Sequence, residues 1–297
     1  MIKLKKTNKK KVTIILLIAF VVFLKIITKE EPVVLRGELI CTVEKAILIC
    51  TDKKLKPFKG FAILKYPNGQ IRFNTHFKDG KPAGISKEYY DSGLLKVETN
   101  YKKGKEDGIK KIYYDNGELQ GEVNFKNGKP DGISKEYYKS GFLKTETSYK
   151  NGKKNGISKE YYENGKLHAE VNLKDGIKNG IAKTYYENGQ LNVEFCYKDG
   201  KAEGTGKIYY ENGQMKGEFI HKNDKLNGVN KEYYENGKLR MEVLFKDDKR
   251  DGLGKTYYED GKLKTEANFE NGELIFINCY DEQGKKEECE KHFGENK

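Results

Sequence analysis

The chain has 297 residues, a formal charge of +12, 34% charged and 36% hydrophobic residues, and no tryptophan. Length alone suggests two globular domains, and the high charge content suggests disorder. Regularly spaced glycines and aromatic residues exclude both readings in favour of an ordered repeat sheet.

Residues 1–11 form a basic head whose six lysines account for half of the net charge. An uncharged run, 12–24, follows, and Ile26-Ile27-Thr28 extends it past Lys25. A basic head before an apolar run reads as a secretory signal or a short signal-anchor. A comfortable span takes about 20 residues, and a lysine at its end can snorkel to the interface. Phe23, Leu24, Ile26 and Ile27 are too bulky for a cleavage site. The leading expectation is therefore an uncleaved anchor over 12–28, with a cleaved signal and a buried helix as alternatives. The preceding lysines place its N-terminus in the cytoplasm and the remainder outside. Residues 29–59 read as a linker and two atypical strands around Leu39-Ile40-Cys41 and Ile47-Leu48-Ile49-Cys50. Cys41 is no lipid attachment site, because Glu38-Leu39-Ile40 lacks the small residues such a site needs.

From Gly60 a unit of 24 residues recurs nine times, restarting at Gly84, Gly108, Gly132, Gly156, Gly180, Gly204, Gly228 and Gly252. We number positions from that glycine as 0. Positions 5 and 6 hold 17 of the 21 tyrosines, and a second glycine always stands at position 9. Each unit reads as a β-hairpin whose Asn-Gly, Ser-Gly or Asp-Gly pair at positions 8 and 9 forms a two-residue type I′ turn. The Lys-Asn-Gly-Lys segment then leads into the next unit.

That turn predicts that position 6 faces 11, 4 faces 13 and 3 faces 14. Position 3 is lysine and position 14 glutamate in eight of nine units, from Lys87–Glu98 to Lys255–Glu266. Glycine stands at position 13 only in Gly121 and Gly217, where position 4 is Ile112 or Ile208. A large group would thus fill space that its neighbour vacates. Alternation of side chains then gives an apolar face, with the second tyrosine and positions 11, 13, 15 and 17. It also gives a charged face with the first tyrosine, the aliphatic residue of position 1 and the Lys–Glu pairs. The repeats span 60–275, and 276–297 holds a capping hairpin short of one residue, with a polar tail. The fold class is all-β, an elongated antiparallel hairpin meander or solenoid behind one N-terminal hydrophobic helix.

Cys279 and Cys289 lie equidistant from Gly284, a spacing that suits a cross-hairpin disulfide in an oxidising compartment. Cys41 and Cys50 could pair likewise, and free thiols are the alternative. The histidines do not cluster: His76 and His168 fall on the charged face, His221 on the apolar face and His292 in the tail. No catalytic, cofactor-binding or metal-binding set follows. Gly254-Lys255-Thr256 resembles the end of a phosphate loop, but Lys249 stands where that loop needs glycine. Each position-3 lysine has a glutamate opposite, so the face lacks the free positive charge that nucleic acid requires. Tyrosine offers contact area and a hydroxyl at low entropic cost. The first-tyrosine row, Tyr89, Tyr113, Tyr137, Tyr161, Tyr185, Tyr209, Tyr233 and Tyr257, is the candidate partner surface.

The pattern G-x-x-K-x-Y-Y-x-N-G-x-L-x-x-E-x-x-Y-K-N-G resembles the bacterial variant of the MORN repeat, and most of all the form found in YwqK-type antitoxins. The resemblance covers the chain from Gly60 on. It implies a solenoid of antiparallel hairpins, a protein-binding or membrane-associated role and toxin neutralisation. The expectation is a non-enzymatic, membrane-anchored repeat protein without cofactor. It would bind a protein partner such as a toxin. A structural envelope or surface scaffold is the alternative.

Overall fold

The computed structural model describes residues 40–44, 47–51 and 57–289. The anchor expected over 12–28 and the helix expected there lie outside these residues. Among the described residues no helix is long and apolar enough to cross a membrane. A two-stranded sheet pairs Ile40–Glu44 with Ile47–Thr51, with Cys41 opposite Cys50 in register. The chain then divides into two units, one running to Phe142 with Tyr149–Gly152, the other comprising Leu143–Ser148 and the chain from Lys153.

Both units are antiparallel meanders in which each strand pairs with its neighbours in sequence. In the first, Gly60–Lys65 pairs with Ile71–Lys78, which pairs with Lys81–Tyr89, and so on to Lys129–Tyr137. In the second, Lys153–Tyr161 pairs with Leu167–Lys174, and the pattern runs to Glu273–Tyr280 and Lys286–Glu287. Lys159 stands opposite Glu170 and Glu160 opposite Ala169, as expected for positions 3 with 14 and 4 with 13.

The expected turn and its outermost pair are corrected. Tyr161, not Tyr162, stands opposite Leu167. Gly165 N–H donates to the Tyr162 carbonyl and Tyr162 N–H to the Lys166 carbonyl, both at 2.9 Å. The loop therefore has three residues, and only Gly165 takes positive φ, at 81°. Asn164 serves differently: its side-chain oxygen accepts the Lys166 N–H at 2.9 Å. The same bond recurs at Asn68, Asn116, Asn188, Asn212 and Asn236 and at Asp260. Asparagine and aspartate close such turns by bonding a backbone group two residues on. The backbone N–H of Lys262 accordingly holds the Asp260 carboxyl below its ordinary range.

The type I′ geometry belongs instead to the turn between repeats. Asp175 and Gly176 have φ of 52° and 88°, with Lys174 opposite Ile177. Positive φ at both central residues is the hallmark of that turn.

The three-residue loop leaves one extra residue, position 12, on the returning strand. Such a bulge resets side-chain alternation. Position 12 therefore joins the face of positions 4 and 6, and position 11 moves to the face of position 5. His168 is the clearest case: its ring lies 4.3 Å from that of Tyr162, so it is not on the charged face. Arg72, Lys96, Lys216 and Lys264 sit 5.4–5.7 Å from the centroids of the second tyrosines of their own repeats. These are cation–π distances.

The buried row runs along positions 2 and 15 on the face of the second tyrosine, and its residues are mostly small. Ala62, Thr75, Ser86, Thr99, Val243 and Ala267 are buried. Thr75 and Ser86 hydrogen-bond across the strands. Where position 15 is Phe195, position 2 of the next repeat is Gly206, and a Cβ there would lie 2.1 Å from the ring. Interiors are close-packed, so a large residue in one strand requires a small one beside it.

The glycines at position 13 stand opposite isoleucine, as expected, and a second contact bears on them. A Cβ on Gly121 would meet the Lys135 carbonyl at 3.0 Å. The last hairpin is short of one residue, as expected: Asn278, rather than residue 279, faces Glu266. Cys279 and Cys289 form a disulfide.

Candidate functional site

The two tyrosines of each repeat do different work. The second one ties its repeat to the next. The hydroxyls of Tyr66, Tyr90, Tyr114, Tyr162, Tyr186, Tyr210 and Tyr234 each donate to a backbone carbonyl 23 residues on, at 2.7–2.8 Å. Tyr258 does so at 22 residues, reaching Tyr280, as the shortened final hairpin requires. The acceptors include the carbonyls of Tyr89, Tyr113, Tyr137, Tyr185, Tyr209, Tyr233 and Tyr257, the candidate partner residues themselves. That row is thus fixed from behind through its own backbone.

On the opposite face the first tyrosines are half-buried beside the Lys–Glu row. Tyr185 donates its hydroxyl to Glu170 at 3.0 Å and Tyr257 to Glu242 at 2.9 Å. Burial, with help from these carboxylates, pushes both phenols up to about 12. Lys87–Glu98, Lys183–Glu194 and Lys255–Glu266 close at 3.2–3.5 Å. Within the array the glutamates also face the lysine of the following repeat, as Glu170 faces Lys183, whereas Glu266 faces Asn278. Lysine and glutamate therefore alternate strand by strand, and the middle of this face carries little net charge.

Two features were missed in the sequence reading. One is the exposure of position 1. Ile85, Ile109, Ile133, Ile157 and Ile181 are 42–51% exposed and Phe61 is 66% exposed. Thr205 interrupts this row in the second unit, and Val229 and Leu253 resume it. The preceding glycine explains the arrangement. Gly108 has φ of 115°, and a Cβ there would sit 3.1 Å from Asn100. The backbone bulges at this point, which takes the carbonyl of position 1 out of the ladder. Asn100, Asn124 and Asn172 supply the missing bond from their side-chain amides to the Ile109, Ile133 and Ile181 carbonyls, at 2.8–3.2 Å.

The other missed feature is a lysine pair flanking most turns between repeats, though Lys174 faces Ile177. Lys78 faces Lys81, Lys102 faces Lys105 and Lys126 faces Lys129. Lys198–Lys201, Lys222–Lys225 and Lys246–Lys249 repeat the arrangement in the second unit. Like charges directly opposite one another are unfavourable. The signal was present in Lys-Asn-Gly-Lys, but only a type I′ turn placed there would have revealed the facing pair. Among the described residues, no group of three or more histidines, cysteines and acids is placed to hold a metal ion.

The sequence profile of the MORN repeat variant matches eight times: residues 83–103, 106–127, 130–151, 154–175, 178–199, 202–223, 226–247 and 250–271. The chain belongs to the MORN repeat variant family. MORN repeats are commonly protein- or membrane-binding modules. A comparison with curated proteins finds no significant match. Among solved structures, ASR alternansucrase in complex with isomaltononaose is similar at 14% identity and a TM-score of 0.19. The similarity covers 75% of this chain and 20% of that one. So loose a superposition carries no argument about the MORN array.

Proposed function

We propose that this MORN protein is a non-enzymatic, membrane-anchored binder of another protein, and that its contact surface is the face with the first tyrosines and the position-1 row. The carrying observation is the exposed aliphatic row on that face. A regular row of exposed apolar side chains rimmed by polar residues marks an interaction site. Beside it stand tyrosines whose backbone carbonyls are already held, at Tyr185 and Tyr257 with the hydroxyl as well, so contact with a partner orders little that is mobile. The Cys279–Cys289 bridge supports an oxidising, extracytoplasmic compartment for the repeats. Residues 12–28 supply the single inner-membrane anchor in this reading. The likeness to YwqK-type antitoxins makes a toxin, neutralised as by an immunity protein, the specific partner proposed.

Affinity capture from solubilised membranes tests the reading. The intact chain should retain a protein that a Tyr89→Ala/Tyr113→Ala variant releases, and recovery of no such protein would refute it. Protease added to intact cells should cleave the repeats and spare the N-terminal segment. Protection of the repeats would refute the topology.

A further inference from the structure

We infer that the position-1 row of the first unit seats an amphipathic α-helix of the partner, with apolar residues seven apart and acidic residues along one flank. The inference rests on the protein-binding reading above and gives the partner its form. Phe61, Ile85, Ile109 and Ile133 occupy four successive repeats without a break, each between 42% and 66% exposed. The corresponding row of the second unit is broken at Thr205.

Spacing selects the helix. Successive members of the row lie two strands apart, about 9.6 Å, and seven residues of α-helix advance about 10.5 Å. A tilt of about 25° between helix and row removes the difference, so every seventh residue can meet one repeat. An extended strand covers the same distance in about three residues, an odd number that turns every other contact residue away. A polyproline helix, with about 9.3 Å per turn, matches the period. Its recognition uses aromatic-lined grooves, whereas three of the four residues here are isoleucine.

Charge selects the flank. On one side of the row, Lys87 and Lys111 are balanced by Glu98 and Glu122. On the other lie the three facing pairs Lys78–Lys81, Lys102–Lys105 and Lys126–Lys129. Asp79 within the first of these turns offsets part of that charge, and two further acids, Asp107 and Asp131, accept the turn N–H groups of Asn127 and Asn151. A helix with glutamates beside its apolar stripe would lie with them over the lysine pairs. Such pairing sets orientation and speeds encounter.

The test uses the full chain and labelled synthetic 25-residue peptides, with binding read by fluorescence anisotropy. The probe carries leucine at every seventh position and glutamates along one flank. It should bind at least tenfold tighter than a scrambled peptide, a lysine-flanked peptide or a proline-rich peptide with leucine every third residue. An Ile85→Ser/Ile109→Ser/Ile133→Ser variant should lose at least tenfold in affinity with an unchanged melting curve, since these side chains are exposed. Equal binding of the scrambled or proline-rich peptide, no binding at all, or undiminished binding by the serine variant would overturn the inference. So would displacement of the probe by anionic vesicles or duplex DNA that bind the wild type and the serine variant alike. Capture of a membrane protein by the serine variant as well as by the wild type would overturn the helix seat alone. Failure of capture by the wild type would overturn the protein-binding reading itself.

Discussion

At the scale of single residues, the tyrosine doublet divides labour between holding the array together and presenting a surface. A neutral hydrogen bond of the Tyr210 kind contributes about 1 kcal/mol net. Tyr210→Phe should therefore lower the stability of the second unit by about that amount, read as a shift in the urea midpoint at constant slope. The first tyrosines make a pH-dependent contribution. Folding raises the Tyr185 and Tyr257 phenols to about 12, against about 10 in the unfolded chain. The folded state favours the neutral phenol, so this stability is complete below about pH 10 and is lost as the pH rises towards 12. A Tyr185→Phe/Tyr257→Phe variant should lose less stability between pH 10 and 12 than the wild type. Phenolate absorbance should show two fewer groups in the highest titrating class.

At the scale of the hairpin, the two turns of each repeat separate what could be read in advance from what could not. In most repeats both contain an Asn-Gly or Asp-Gly pair, and the preference for Asn-Gly in type I′ turns applies to either. Only the turn between repeats uses both residues at positive φ. At positions 8 and 9 the asparagine is there for its side-chain oxygen, and one-letter spacing does not distinguish the two uses. The register near the strand centre survived that misreading because Lys159–Glu170 and Glu160–Ala169 lie beyond the bulge. The outermost pair, the place of His168 and the face of position 11 did not survive it. The exposed row at position 1 was assigned to the correct face, but its exposure depends on the bulge at the repeat glycine, which no pattern of residue types announced. Asn164→Gly separates the two turn geometries. A type I′ turn would accept glycine readily. The observed loop should lose about 1 kcal/mol with the side-chain bond, while Asn164→Asp should keep it. Thermal or urea unfolding of the three proteins decides.

At the scale of the molecule, stability in a repeat array is close to a sum of repeat and neighbour terms. The ties described above obey that rule, since the second-tyrosine hydroxyls reach one repeat on and those of Tyr185 and Tyr257 one repeat back. Within the second unit, deleting residues 180–203 joins Asn179 to Gly204 and removes one whole period. Val171, Glu170 and Ala169 would then face Gly206, Lys207 and Ile208 in the register they now keep with Ala182, Lys183 and Thr184, and Tyr162 would find the Tyr209 carbonyl in place of that of Tyr185. Phe195 leaves with the deleted segment, so Gly206 would gain the smaller Val171 as its neighbour across the strands and keep a small void. The shortened chain should therefore fold, keep its circular dichroism per residue and melt cooperatively at a somewhat lower temperature. Deleting only 180–191 joins Asn179 to Asn192, so that Glu194 takes the place of Ala182 opposite Val171 on the buried face, Phe195 takes that of Lys183 opposite Glu170, and the tyrosine pair and its turn are lost. That chain should aggregate or lose its β signal, and equal behaviour of the two deletions would show that the 24-residue period is not the folding unit.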